Sequence, residues 1–481
     1  MDTFFRLFGG AVICLISASS TAFAADDDAQ AASVKRGAYI ATASDCSACH
    51  TAPGGKPFAG GLAISTPVGT IYSTNITPSA TAGIGQYTEE QFARAVRAGV
   101  RADGANLYPA MPYTSYNVLT DADIHDLYSY FQHGVAPVDT APKATALPFP
   151  MNIRLSMMAW NLLFLGSGDS EADATQSPEW NRGKYLVDGA AHCSTCHTPR
   201  GFLMQEVSAH YLGGAQVGPW YAPNITSDTN SGIGSWSKDE LARYLATGSL
   251  PGKAQAAGSM GEAVEHSFSH LTQDDISAIS TYIKTVAPLH DASDDQSRFG
   301  YGKPFAQLAS LRGANPIRSD TDAQASGAVL FYGNCASCHQ AFGQGSKDAY
   351  YPSLFHNSAT GAADHNNLIA TILNGVNRTT PKGQAFMPGF GGKANDINAL
   401  NDSQVATLAN YVFDNYGRAG TPVTPADVAQ VRAGGPSSSL LLLARIGIAI
   451  GVVLGLAIVL LLVVWRHRHG AAVSSRSAYT R

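Results

Sequence analysis

Apolar residues recur with a helical period near the ends of three long stretches of the chain. Ile124, Leu127, Tyr128 and Phe131 follow Thr120. Ile276, Ile279 and Ile283 follow Thr272. Val405, Leu408, Ala409 and Val412 follow Asn401. Positions i, i+3, i+4 and i+7 share one side of a helix, and a Thr or Asn just upstream suits an N-cap, so the pattern predicts three amphipathic helices. An aromatic residue stands ten positions beyond each cap, at Tyr130, Tyr282 and Tyr411. These three are expected to pack on an earlier helix of the same stretch. The candidate partners are short helices opened by a glycine, in Arg36-Gly37-Ala38-Tyr39-Ile40, Arg182-Gly183-Lys184-Tyr185-Leu186 and Gly327-Ala328-Val329-Leu330.

The first two stretches share more. Tyr72-Ser73-Thr74-Asn75-Ile76-Thr77 matches Tyr221-Ala222-Pro223-Asn224-Ile225-Thr226, and each runs on into Gly-Ile-Gly. Capping boxes follow, Thr88-Glu89-Glu90-Gln91 in one and Ser237-Lys238-Asp239-Glu240 in the other. The third stretch lacks this insert and is the divergent copy. The pattern predicts a mainly α chain of three tandem domains of one design, at 30–140, 177–290 and 323–418, with linkers at 141–176, 291–322 and 420–439. Forty-eight Gly and 24 Pro make those domains loop-rich.

Three apolar runs fall outside the repeats. Residues 1–24 read as a secretory signal peptide: Arg6, an apolar Leu7 to Ile16, and the small-x-small site Ala22-Phe23-Ala24. Ile446 to Trp465 is uncharged for twenty residues, enough helix to cross about 30 Å of hydrocarbon. That predicts a transmembrane helix at 440–465. Arg466, His467, Arg468, His469, Arg476 and Arg481 follow with no acid, which predicts a cytoplasmic tail at 466–481 and the bulk of the chain on the other side. The third run, Leu155 to Leu165, is too short to span. A buried inter-domain helix is expected there, with contact to a partner or a membrane surface as the alternative.

The chemistry sits at one repeated place. Cys46-Ser47-Ala48-Cys49-His50, Cys193-Ser194-Thr195-Cys196-His197 and Cys335-Ala336-Ser337-Cys338-His339 lie 147 and then 142 residues apart. With 7 Cys and 14 His in 481 residues, chance supplies roughly 0.003 copies of Cys-x-x-Cys-His. The string is the attachment signature for c-type haem: two thiols bond the porphyrin, and the adjacent imidazole ligates iron. A zinc site would need the pairs to converge, and a thioredoxin-like pair would need an α/β pattern that is absent. Three covalent haems are expected, with Cys46, Cys49, Cys193, Cys196, Cys335 and Cys338 as attachment points and His50, His197 and His339 as proximal ligands. Cys14 falls in the leader.

An iron that carries electrons without binding small molecules needs a sixth ligand, and thioether sulfur suits higher potentials. Met111, in Tyr108-Pro109-Ala110-Met111-Pro112-Tyr113, and Met387, in Ala385-Phe386-Met387-Pro388-Gly389, lie on Pro-containing loops before the last helix of their domains. In the second domain Met260 follows His197 by 63 residues, close to the 61 between His50 and Met111. Alignment of the last helices puts it three residues early, so His266 and His270 compete, His266 first. Met204 is too near its own motif, and Met151, Met157 and Met158 are read as packing residues.

Net charge is −5 with 14% charged residues, which gives no footing for nucleic-acid binding. No dinucleotide fingerprint, nucleophile elbow or zinc-hydrolase motif occurs, so no substrate-oxidising site is expected on this chain. The haem strings resemble those of the tri-haem cytochrome c subunits of membrane-bound bacterial dehydrogenases. These comprise the quinoprotein alcohol dehydrogenase and the flavin-dependent gluconate, sorbitol and fructose dehydrogenases. The resemblance extends to Asn75-Ile76-Thr77-Pro78, Trp160-Asn161-Leu162-Leu163-Phe164, Ser259-Met260-Gly261-Glu262-Ala263-Val264-Glu265-His266-Ser267 and Asn374-Gly375-Val376-Asn377-Arg378-Thr379-Thr380. It covers nearly all of the chain beyond the leader. It implies Met260 as the second distal ligand, a catalytic quinoprotein or flavoprotein partner, and ubiquinone as acceptor. It also implies a periplasmic setting for the haem domains; attachment to the bacterial inner membrane by a single C-terminal span is read from this sequence alone, because attachment varies within the family. Two other readings stay open: a peroxidase-type haem enzyme, and a stand-alone respiratory shuttle.

Overall fold

The computed structural model describes residues 27–168, 171–311, 324–394 and 396–477. The leader, with Cys14, lies outside the described residues. The first domain contains α1 (27–43), α2 (Cys46–His50), the β1–β2 hairpin (Ala63–Thr66, Gly69–Tyr72), α3 (Glu89–Ala98), α4 (Tyr113–Tyr116) and α5 (Asp121–Ser129). After α6 (Ser156–Phe164), the second domain runs through α7 (Pro178–Tyr185), α8 (Ser194–His197) and the β3–β4 hairpin (Ala215–Val217, Trp220–Ala222). It continues through α9 (Lys238–Thr247), the short β5–β6 pair (Ser249–Leu250, Ala254–Gln255), α10 (Gly258–His266) and α11 (Gln273–Ile283). After α12 (Leu308–Leu311), the third domain holds α13 (Gly327–Asn334), α14 (Ala336–His339), α15 (Asn366–Asn374), the β7–β8 hairpin (Val376–Thr380, Gly383–Met387), α16 (Asp402–Tyr416) and α17 (Pro425–Arg432). The long α18 (Leu440–Ser477) ends the described chain.

The three caps work as the sequence predicts. Thr120, Thr272 and Asn401 accept hydrogen bonds from the backbone N–H of Asp123, Asp275 and Gln404, and both capping boxes, at Thr88 and Ser237, close reciprocally. The glycines differ from expectation. Gly37 and Gly183 do not open their helices; they lie inside α1 and α7, where the last helix of the domain crosses. A Cβ on Gly37 would stand 1.8 Å from the Asp126 carbonyl oxygen, and one on Gly183 would stand 2.0 Å from that of Ala278. Glycine inside a helix costs ~1 kcal/mol, and here the cost secures the closest approach of two helices. Only Gly327 starts its helix. Tyr130, Tyr282 and Tyr411 pack beside these three glycines, as expected.

The first two domains share one continuous apolar core, from Ala41, Phe92 and Leu127 to Leu186, Leu245 and Ile279. Their contact is reciprocal. The Tyr39 hydroxyl donates to Asp275 (2.6 Å) and accepts from the N–H of Thr272, while the Tyr185 hydroxyl donates to Asp123 and accepts from the N–H of Thr120. Each domain thus grips the capped N-terminus of the other's last helix. Arg182 adds two bonds to Asp275, at 2.7 and 2.8 Å. Burial alone would raise the Asp275 carboxyl, yet its bonds from Arg182 and Tyr39 hold it below the usual 3.8. A carboxyl depressed in the folded state is more ionised there than when unfolded. Its stabilisation is therefore complete above about pH 4 and fades as pH falls through the lower folded value. With Arg182 partly exposed and screened, Asp275→Asn is expected to cost about 1–2 kcal/mol near neutrality and to flatten the acid limb of denaturant melts below about pH 4.

The third domain has its own core, with Leu330, Phe331, Ile369, Leu408 and Tyr416 at its centre. It docks on the second domain through α10 against β7, through Trp220 on its core and through polar contacts. Asn367 pairs with both backbone groups of Tyr221, and the buried Arg378 donates to the Ala256 carbonyl.

Two apolar runs meet different fates. α18 contains the 28-residue stretch Leu440–His467, whose most apolar window has a mean hydropathy of 3.1 and is not buried at all. It fits a membrane anchor. α6 overturns the expectation of a buried inter-domain helix: Trp160 alone is buried, while Leu155, Met158, Leu162 and Leu163 are exposed. Met158 therefore is not a packing residue. The helix lies over the seam between the first two domains, held by Trp160 on Leu203 and by Asn161 on Tyr113 and Ala98, and nothing in the described chain packs on its outer side.

Candidate metal centres

Each Cys-x-x-Cys-His string closes a short helix (α2, α8 and α14) whose last residue is the histidine. His50 Nδ1 lies 2.7 Å from the Thr74 carbonyl oxygen, His197 Nδ1 2.7 Å from that of Pro223, and His339 Nδ1 2.9 Å from that of Pro352. A carbonyl can only accept, so Nδ1 carries the proton and Nε2 keeps a lone pair free for a metal. Burial lowers all three imidazoles from their ordinary value. His197 falls to about 4, where the nearby Arg298 charge adds to burial. Neutral imidazole is the ligating form.

This geometry explains the sequence repeat. In the first two domains the orienting carbonyl belongs to the residue just before an asparagine. Asn75 accepts from Thr77 and donates to the Val138 carbonyl; Asn224 accepts from Thr226 and donates to that of Leu289. Each asparagine pins the loop that aims its histidine. In the third domain a turn from Ser346 to Tyr351 presents Pro352 instead.

None of the six described cysteines forms a disulfide. Burial pushes the Cys46, Cys193 and Cys335 thiols up to about 12. Cys49 rises to about 11, through burial first and then the charges of Asp45, Glu262 and Cys196, so the first two motifs lie side by side. Asp45 is a residue the sequence reading passed over. It sits in the left-handed region at φ 51, its Oδ1 is buried without a hydrogen-bond partner, and burial beside Glu262 raises its carboxyl to about 8. An acid immediately before the first cysteine of a Cys-x-x-Cys-His string was the available signal. Arg298, in the second linker, was also missed; it donates to the carbonyls of Asn224 and Ser231 beside His197.

The candidate distal residues are placed as follows. Met111, just before α4, and Met260, in α10, are half-buried against the shared core, and Met387, at the end of β8, is half-buried against the third core. α10 also packs against α2 and β7, so it touches both neighbouring domains. His266 ends α10 and is exposed; His270 is exposed and bonded to the Glu265 carbonyl. Met204 is half-buried on the loop after α8, at φ 66.

Among the described residues no group of three or more His, Cys, Asp or Glu gathers to hold a bare metal ion. Each centre instead pairs two thiols and one neutral imidazole with an apolar core, which is the donor set of a covalently attached iron porphyrin. Such centres define a c-type cytochrome. The cytochrome c family model matches residues 34–134, 181–287 and 324–414; the chain belongs to that family and carries three covalently bound c-type haems. Several of its relatives are cytochrome subunits of dehydrogenases. It is 49% identical over 423 residues to the fructose dehydrogenase cytochrome subunit of Gluconobacter japonicus, covering 86% of each chain. It is 41% identical over 426 residues to the gluconate 2-dehydrogenase cytochrome c subunit of Pantoea cypripedii, covering 86% of this chain and 92% of that one. Identity to the cytochrome c subunit of alcohol dehydrogenase (quinone) from Gluconacetobacter polyoxogenes is 37% over 446 residues, 90% of this chain and 91% of the relative.

Proposed function

We propose that this chain is the electron-transfer subunit of a membrane-bound dehydrogenase. It takes electrons from a catalytic quinoprotein or flavoprotein, passes them through its three haems and delivers them to ubiquinone. The observation that carries the reading is three equivalent Cys-x-x-Cys-His centres, each with a proton-fixed imidazole, on a chain similar over about nine-tenths of its length to dehydrogenase cytochrome subunits. His50, His197 and His339 are the proximal ligands, and Met111, Met260 and Met387 the distal ones. Bound haem supplies one-electron chemistry. The chain's own residues fix the imidazoles, exclude water from the iron and set the local charge, as Arg298 does beside His197. α18 holds the assembly in the inner membrane, and the basic residues after Trp465 support a cytoplasmic tail with the haem domains in the periplasm.

Detergent extraction of the full-length protein is expected to bring down one large flavin- or quinone-cofactor subunit. The complex should reduce ubiquinone with fructose, gluconate or ethanol, and haemochrome analysis should give three haems per chain. A cytochrome that purifies alone from its native membrane, with no large subunit and no substrate-driven haem reduction, would be the stand-alone shuttle instead.

A further inference from the structure

A cavity of about 420 Å³ lies where the first domain, α6 and the loop after α8 meet. No haem-attaching cysteine and none of His197, Met260 or Met111 lines it, so it is separate from the haem sites. Ser194, between the two cysteines of the second motif, does stand on its wall. Trp160 and Phe164 of α6 line it together with Arg200, Gln205 and Glu206 of the loop after α8. Glu206 Oε1 is buried and accepts no hydrogen bond, 3.5 Å from Arg200 Nη2.

The outer side of the same helix is apolar and uncovered, with Leu162 86% exposed, Leu163 68% and Met158 60%. Trp160 Nε1 donates to the Leu203 carbonyl, which joins this face to the exposed Phe202 and Leu203. No charged residue occurs between Arg154 and Asp169. Arg154 itself turns inward, stacking on Tyr108 and donating to the Asn106 carbonyl. The start of α18 touches the chain just ahead of α6, where the exposed Arg445 Nε donates to the Phe149 carbonyl. An aliphatic face that carries no charge of its own and lies near the start of a long apolar helix matches lipid better than a protein interface.

We infer that this cavity binds the head group of an isoprenoid quinone, which enters from the bilayer with its tail along α6. The inference rests on the quinone-acceptor reading above. An uncharged ring with two carbonyl acceptors fits a slot lined by Trp160 and Phe164 and by the donors Arg200 and Gln205. The carboxylates of Glu206 and Asp188 disfavour an anion there. Conversion of one quinone to its hydroquinone consumes two electrons, each from oxidation of one reduced haem iron, and two protons, which Glu206 relays from water.

The test uses the full-length, haem-loaded protein in detergent micelles. A photoreactive azido-ubiquinone is expected to label peptides spanning 155–168 and 200–211, with labelling displaced by decylubiquinone. Thr114→Trp fills the cavity and Glu206→Gln removes its charge; both should lower that labelling, and both should slow haem reoxidation by decylubiquinone, Glu206→Gln by roughly a hundredfold. Reoxidation by ferricyanide should stay unchanged. Labelling confined to other peptides, or unaltered labelling and quinone rates in Glu206→Gln, overturns the site. A wild-type protein whose reduced haems decylubiquinone never reoxidises overturns the acceptor reading itself, whatever the labelling pattern.

Discussion

Met260→Ala is expected to lower one haem potential by on the order of a few hundred mV and to open that iron to carbon monoxide, whereas His266→Ala should do neither. A thioether favours ferrous over ferric iron, so its loss to water shifts the couple downward. The helix makes the two candidates exclusive. Six residues apart, they are separated by about 9 Å along the axis of α10 and point in different directions around it. Met260 is half-buried against the shared core, and His266 ends the helix in solvent. A carbon monoxide difference spectrum of each reduced variant, with potentiometric titration, checks this. Opening of an iron in His266→Ala, with Met260→Ala silent, would transfer the ligand role to the histidine. A wild-type protein that already binds carbon monoxide at one iron would favour a peroxidase-type centre.

Repetition made most of the architecture readable from sequence. Three cap-and-stripe patterns placed α5, α11 and α16, and the tyrosines ten residues beyond each cap lie where the helices cross. What escaped was whatever depends on distant partners. Gly37 and Gly183 look like helix starts because glycine is a poor helix former, and only the carbonyls of Asp126 and Ala278 against them reveal close crossings. The Asn75 and Asn224 repeat was visible, but its task, steadying the carbonyl that orients a histidine, needs the fold. Arg298 carries no local pattern, and Asp45 shows only as an acid before Cys46; tertiary burial gives both their weight. α6 misled because apolarity records what a surface avoids, and water can be replaced by lipid as well as by protein.

Loss of the second haem is expected to take the first with it, whereas loss of the third should leave the other two in place. Cys193→Ala with Cys196→Ala should yield about one haem per chain, and Cys335→Ala with Cys338→Ala about two. The asymmetry follows from how the cores are built. Leu186, Val187 and Leu245 of the second domain belong to one packed body with Ala41, Ala43 and Phe92 of the first. The Tyr116 ring meets His192 edge-on, and the Ser267 hydroxyl donates to the Ala43 carbonyl. A close-packed interior does not absorb a porphyrin-sized void on one side while keeping its shape on the other. The grips of Tyr39 on the cap of α11 and of Tyr185 on the cap of α5 then weaken together. The third core touches the second domain through Trp220 and hydrogen bonds at Tyr221 and Ala256, which a neighbour can lose without reorganising its interior. Haemochrome ratios against peptide mass for the two double variants check this directly. Two haems in both would mean that the first domain folds around its own porphyrin, and that the shared core joins two bodies already complete.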